Sequence, residues 1–182
     1  NDLIGQLDFI GKDSGGVNTQ YASIKGIIKD VTNNTEDGAL EFVNFKGGFL
    51  NNALTLGNTE TVFNDASVDV DFRVESNGDA NMLFVDGGNN RVGIGTSTPL
   101  ATLQIESTNS GVSPSGNADE LFIENNGNAG LTIGTSTSGT GSIFFADSAD
   151  PARGRIRYDQ SNDAMTFGTA GLSETGRYLG NT

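Results

Sequence analysis

Residues 89–99 read NNRVGIGTSTP, and the fold turns on why Gly93 and Gly95 flank Ile94 inside a run that otherwise alternates like a strand. Glycine weakens a strand, because it loses more backbone entropy than any other residue and offers no side chain to pack. The usual reason to tolerate it is a second backbone coming very close. That backbone can belong to a ligand, to another stretch of the same chain, or to a second copy of it. Turn-formers on both sides, Asn89-Asn90 and the small polar run ending at Pro99, bound the unit as one short strand.

Outward from this stretch the same period-two alternation recurs. Val68-Asp69-Val70-Asp71-Phe72-Arg73-Val74 places four apolar residues on one face and Asp69, Asp71 and Arg73 on the other. Met82 to Val85, Val92 to Ile94, Leu103 to Ile105 and Leu121 to Ile123 behave alike. No window sustains a capped 3.6-residue pattern, so the chain reads as all-β. Residues 107–117, STNSGVSPSGN, and 134–142, GTSTSGTGS, read as connectors.

The alternating units repeat. Val74-Glu75-Ser76-Asn77-Gly78-Asp79-Ala80-Asn81-Met82 matches Ile123-Glu124-Asn125-Asn126-Gly127-Asn128-Ala129-Gly130-Leu131 at a constant offset of 49. Each predicts a strand end, an Asn-Gly turn and a new strand, because both turn residues tolerate positive φ. A looser pair joins Gly5-Gln6-Leu7-Asp8-Phe9 to Gly141-Ser142-Ile143-Phe144-Phe145. Each copy continues to an Ile strand (Ile24 to Ile27; Ile156 to Tyr158) and then to a third, Ala39-Leu40-Glu41-Phe42 or Ala164-Met165-Thr166-Phe167. This module is a three-stranded meander whose first copy carries longer loops, including Asn33 to Gly38.

Four segments follow: 1–66, an N-terminal β-meander repeat with extended loops; 67–106, a hairpin repeat around Val92–Thr96; 107–140, a Ser/Gly/Asn-rich connector with the second Asn-Gly hairpin; and 141–182, a C-terminal β-meander repeat. The chain starts in mid-pattern at Asn1 without an initiator Met, as a segment of a longer protein would.

Composition excludes much chemistry. Of 182 residues 26 are Gly, while Cys and His are absent, so disulfides, Cys/His zinc sites and histidine acid–base catalysis are all out. A formal charge of −13, with only 10 scattered cationic side chains, argues against nucleic acid or an anionic membrane as partner. No apolar run is long enough to span a bilayer.

Each strand offers two to four apolar residues on one face, and a lone two- or three-stranded unit of that kind is marginal in water. Stacked end to end, such modules make an elongated array with an apolar stripe along it. Identical chains wrapped about a common axis cover the stripe most simply. In that arrangement Gly93 and Gly95 let three chains approach while Ile94 points inward. The alternative on residues alone is a single-chain β-sandwich with glycines at bulges.

The run Arg91-Val92-Gly93-Ile94-Gly95-Thr96-Ser97-Thr98-Pro99, followed by Leu103-Gln104-Ile105, resembles a repeat of bacteriophage tail-fibre proteins. Gly141 to Asp147, Gly154 to Asp159 and Ala164 to Gly171 resemble another repeat of the same fibres, and Gly5 to Leu56 looks like a diverged, loop-extended copy. The resemblance implies an intertwined homotrimeric β-fibre on a virion tail, outside the cell, with other tail proteins as neighbours. A host cell-surface saccharide or protein is a further candidate partner. Many such chains end in an intramolecular chaperone that cleaves itself off; after Gly171 this one runs LSETGRYLGNT, as expected if that domain was removed or the segment ends before it. Similar repeats occur in bacterial surface fibres and adhesins, which is the alternative location, and some phage spikes degrade polysaccharide.

No residue is assigned a catalytic, cofactor-binding or metal-binding role, and the chain reads as a structural, non-enzymatic protein. Asp69 and Asp71, about 6–7 Å apart between Cα atoms on one strand face, have the residue types of a glycosidase pair but fit a solvated face better. Asp86-Gly87-Gly88-Asn89-Asn90 resembles a calcium loop superficially and a hairpin turn more fully. Gly93-x-Gly95 lacks the third glycine and following helix of a dinucleotide site. Ser97 and Thr98 have no His base, and Asn33-Asn34-Thr35 is a lone glycosylation sequon in an Asn-rich chain. Trp is absent, and of the three tyrosines Tyr21 and Tyr158 sit beside the Ile strands, where packing explains them. Loops 11–20 and 44–52 are the places to look for surface contacts.

Overall fold

A computed structural model describes residues 2–169 and the backbone of 176–179. The Ala170-Gly171 end of the C-terminal motif, most of the tail after it and the Tyr178 side chain lie outside the described residues. The described chain is all-β, 49% strand with no helix, in three open sheets. It divides into two compact units, Asn1–Ala129 and Gly130–Thr182.

The first sheet is an antiparallel meander of β1 (Asp2–Lys12), β2 (Asn18–Asp30), β3 (Asp37–Lys46), β4 (Phe49–Leu56) and β5 (Thr61–Phe63). In the second unit β11 (Thr140–Phe145), β12 (Gly154–Asp159), β13 (Ala164–Thr169) and β14 (Gly176–Leu179) form a four-stranded meander. Both contain the three-stranded module read from the sequence, each extended by further strands. They also share a register. Leu7 lies opposite Ile24 and Ile24 opposite Phe42, as Ile143 lies opposite Ile156 and Ile156 opposite Phe167.

Turn chemistry corrects the expected loops. Half of the stretch 11–20 and most of 44–52 are strand. Asp13 closes the first reversal by accepting the Gly15 and Val17 N–H groups, both at 2.9 Å. The second is the two-residue turn Gly47-Gly48, with φ of +61° and +91°, the positive values that a twisted hairpin demands. Asn-Gly does not play that part. None of Asn77, Gly78, Asn126 and Gly127 has positive φ. Eight residues, 75–82, separate β6 (Phe72–Val74) from β7 (Leu83–Asp86), and no strand forms between Glu124 and Thr140. The Ser76 hydroxyl accepts the Gly78 and Asp79 N–H groups at 3.3 and 3.0 Å, a local bond that competes with the tight hairpin. The clean alternation of 68–74 also shortens to β6, because Val70 and Asp71 are drawn against the Gly87-Gly88 turn.

The middle sheet holds the opening puzzle. Its order is β10-β9-β8-β7-β6, with β8 (Arg91–Ile94), β9 (Leu103–Glu106) and β10 (Leu121–Glu124) parallel to one another. Hairpin reading did not anticipate parallel neighbours, which usually need a crossover of a dozen residues. Here eight residues, 95–102, suffice, since a four-residue strand leaves only about 13 Å to retrace. The crossover folds back over one face of the sheet and buries Thr96 and Ala101 there, at 6% and 1% exposure. Arg91 Nη1 donates to the Pro99 carbonyl at 2.8 Å and pins it.

That return decides the glycines. A Cβ on Gly93 would stand 2.3 Å from the Thr96 carbonyl oxygen, and one on Gly95 would stand 2.1 Å from that of Glu106. Gly95 also adopts φ +79°, where it turns off the strand and donates its N–H to Asn81 O at 2.8 Å. The close backbone therefore belongs to the same chain. The expectation that these glycines make room for other copies is corrected: the Thr96 carbonyl of the crossover takes the space beside Gly93, and the Glu106 carbonyl of β9 takes that beside Gly95.

Candidate functional site

Residues directly opposite across a ladder share one face of the sheet, so the registers show what each face presents. Across the first sheet the row Leu7, Ile24, Phe42, Leu54, Phe63 is apolar from edge to edge. The adjoining row on the reverse face is Gln6, Lys25, Glu41, Thr55, Val62. Across the middle sheet Phe72, Val85, Val92, Leu103 and Leu121 align, beside Ile94, Ile105 and Ile123. In the second unit Ile143, Ile156 and Phe167 align, while Ser142, Arg157 and Thr166 take the reverse face.

These apolar rows stay part-exposed, most of all on the edge strands. Leu7 is 57% exposed, Phe63 53%, Leu121 51% and Phe145 57%. Among the described residues only Val43, Phe84, Ala101 and Ala164 form the buried hydrophobic set. The middle sheet is inverted relative to an ordinary globule. Its covered face carries Arg73, Phe84, Gly93, Gln104 and Phe122, and its uncovered face carries the aliphatic rows. Fully burying a Val, Leu, Ile or Phe is worth about 1.5–3 kcal/mol, so each half-exposed one leaves roughly half of that unrealised. On the meander of the second unit, Ile133 lies over Gly141 and forms a groove with Ile143, Ile156, Tyr158 and Met165.

The covered face of the middle sheet is held by a polar clasp that the sequence gives little sign of. Gln104 is fully buried; its Nε2 donates to Glu106 Oε2 at 2.9 Å and Glu124 Oε2 at 2.7 Å, and its Oε1 accepts the Leu100 N–H at 2.6 Å. Glu124, 3% exposed, takes the Ser110 N–H and hydroxyl on its other oxygen at 2.5 and 2.7 Å. The Ser110 hydroxyl and N–H, with help from Gln104, hold the Glu124 carboxyl below its ordinary range. The start of the 107–117 connector is thereby stitched to β10, with Ser107 N donating to Glu124 O at 3.1 Å. The only signal was a polar Gln at an alternating position, which period two alone assigns to an outer face.

The residues weighed for chemistry are placed in structural roles. Asp71 Oδ1 accepts the Gly87 N–H at 3.0 Å, and Asp69 lies against Gly88, so the pair braces the β7–β8 turn. In that turn Asn89 donates from its backbone N and its Nδ2 to the two Asp86 oxygens, at 2.8 and 2.9 Å. Those bonds lower the Asp86 pKa. Among the described residues no three Asp or Glu side chains converge as metal ligands. Thr96 Oγ1 accepts the Thr98 N–H at 3.3 Å inside the crossover. Asn33 is exposed in the β2–β3 turn. Tyr21 lies on Gly11 and meets Phe45 edge-on at 6.1 Å, whereas Tyr158 donates its hydroxyl to Asp163 Oδ1 at 3.1 Å. No helix of the described residues is long and apolar enough to cross a membrane.

Comparison with protein-family models, curated proteins and solved structures gives no match to this chain.

Proposed function

We propose that this chain is a structural, non-enzymatic segment of a bacteriophage tail fibre, in which three copies wrap about a common axis and form a shaft. The shaft holds a host-binding tip away from the virion, with other tail proteins as neighbours. The observation that carries the reading is the apolar row that each of the three sheets leaves part-exposed. A chain with 23 acidic and 10 basic side chains repels its own copies. The central apolar rows of the open faces carry no charge, so copies meet there at least electrostatic cost and remove the most apolar surface from water. The shared register of the two meanders supports a repeated module, and the run Arg91 to Pro99 supports the tail-fibre resemblance.

Light scattering coupled to size exclusion tests it. Three chains of 18.9 kDa in one elongated particle is the expected result. A compact monomer at micromolar concentration overturns the proposal.

A further inference from the structure

We propose that Asn77 is a self-modification site, converting to isoaspartate through attack of the Gly78 backbone nitrogen, and that Asn126, in the matching Asn-Gly pair, is protected. The hairpin role that would explain both pairs is absent from the fold, since neither pair has the positive φ of a tight turn. What remains is their chemistry. Asn followed by Gly is the sequence most open to this cyclisation, because Gly places no side chain in the path of its own nitrogen.

The two sites differ in how the nitrogen is held. Asn77 and Gly78 are exposed in the loop between β6 and β7. That loop's hydrogen bonds run through Ser76, Asp79 and Asn81, and none uses the Asn77 side chain among the described residues. The Gly78 N–H has only the Ser76 hydroxyl, at 3.3 Å, beyond the usual hydrogen-bond distance. At the second site the Gly127 N–H donates to the Asn125 carbonyl at 2.9 Å, and the Asn126 N–H is held by both the Thr108 carbonyl and hydroxyl at 3.0 Å. The backbone there cannot rotate to bring nitrogen onto Cγ without breaking those bonds first.

In the reaction the Gly78 nitrogen sheds its proton and bonds to Asn77 Cγ. The Cγ–Nδ2 bond breaks, and ammonia leaves carrying that proton. Water then opens the resulting five-membered imide. Cleavage at Cγ gives aspartate; cleavage at the main-chain carbonyl gives isoaspartate, with one extra methylene in the backbone. No oxidant or reductant is involved. The product adds negative charge beside Glu75 and Asp79 and lengthens the loop whose Asn81 carbonyl receives the Gly95 N–H.

Peptide mapping of the folded, full chain after prolonged incubation at mildly alkaline pH, with enzymatic methylation to mark isoaspartate, tests this. Asn77 converts about tenfold faster than Asn126, the factor set by having to open hydrogen bonds at the second site, and the difference disappears in urea. Gly78→Ala, whose added Cβ meets nothing within 4 Å, keeps the fold and abolishes fast conversion at Asn77. Equal rates at the two sites in the folded chain, or an unchanged Asn77 rate in Gly78→Ala, overturns the proposal.

Discussion

Replacing Gly93 or Gly95 by alanine tests whether another stretch of the same chain is what excludes a side chain there. Real Cβ atoms essentially never approach a heavy atom closer than 3.0 Å, so the Thr96 carbonyl must retreat about 0.7 Å in Gly93→Ala, and the Glu106 carbonyl about 0.9 Å in Gly95→Ala. Both obstacles are backbone atoms in hydrogen-bonded, well-packed surroundings, where overpacking costs about 1–3 kcal/mol. Gly95 adds about 1–2 kcal/mol for an L-residue at positive φ. For a chain of this length each kcal/mol lowers the thermal midpoint by roughly 2–4 °C. Gly93→Ala is thus expected to melt about 2–12 °C lower and Gly95→Ala lower still. Gly5→Ala is the matched control, because its Cβ meets nothing within 4 Å. Thermal melts followed by far-ultraviolet circular dichroism, at protein concentrations giving one assembly state, supply the measurement. If Gly93→Ala melts with the wild type, or loses assembly while its thermal stability is unchanged, the intrachain account is wrong.

Three further outcomes follow from the structure. Ile105→Asp, at the centre of an open aliphatic row, places a carboxylate on the face where copies meet in the proposed shaft, and each desolvated charge costs several kcal/mol; scattering should then show loss of the assembled species with β-sheet dichroism retained, and an unaltered assembly mass would exclude this face from the contact. Ser23→Ala removes a buried hydroxyl with no hydrogen-bond partner among the described residues, so it should leave stability unchanged or raise it by up to about 1 kcal/mol, checked by urea denaturation. Because the folded Glu124 pKa lies below its unfolded value, its clasp stabilises fully above the unfolded pKa and loses its contribution as pH falls through the folded one. Glu124→Gln should flatten that acid limb relative to wild type, and an identical pH–stability profile would refute the assignment.

The sequence by itself determined that the chain is all-β, which residues alternate, and where the strands Leu103–Glu106 and Leu121–Glu124 begin. It also placed Leu7, Ile24 and Phe42 in a module matching Ile143, Ile156 and Phe167, since period two and turn spacing are local properties of the chain. Tertiary structure decided what local patterns cannot encode. Alternation says which residues share a face but not which strand lies beside it or in what direction, so the parallel β8–β9–β10 ladder was invisible. The obstacles at Gly93 and Gly95 are carbonyls of Thr96 and Glu106, brought there only when the crossover closes. Gln104 and Glu124 read as solvent-facing polar positions until that crossover and the connector from Ser107 to Ser110 cover them. In the middle sheet the aliphatic rows are left open, because the crossover and the connector lie on the polar side.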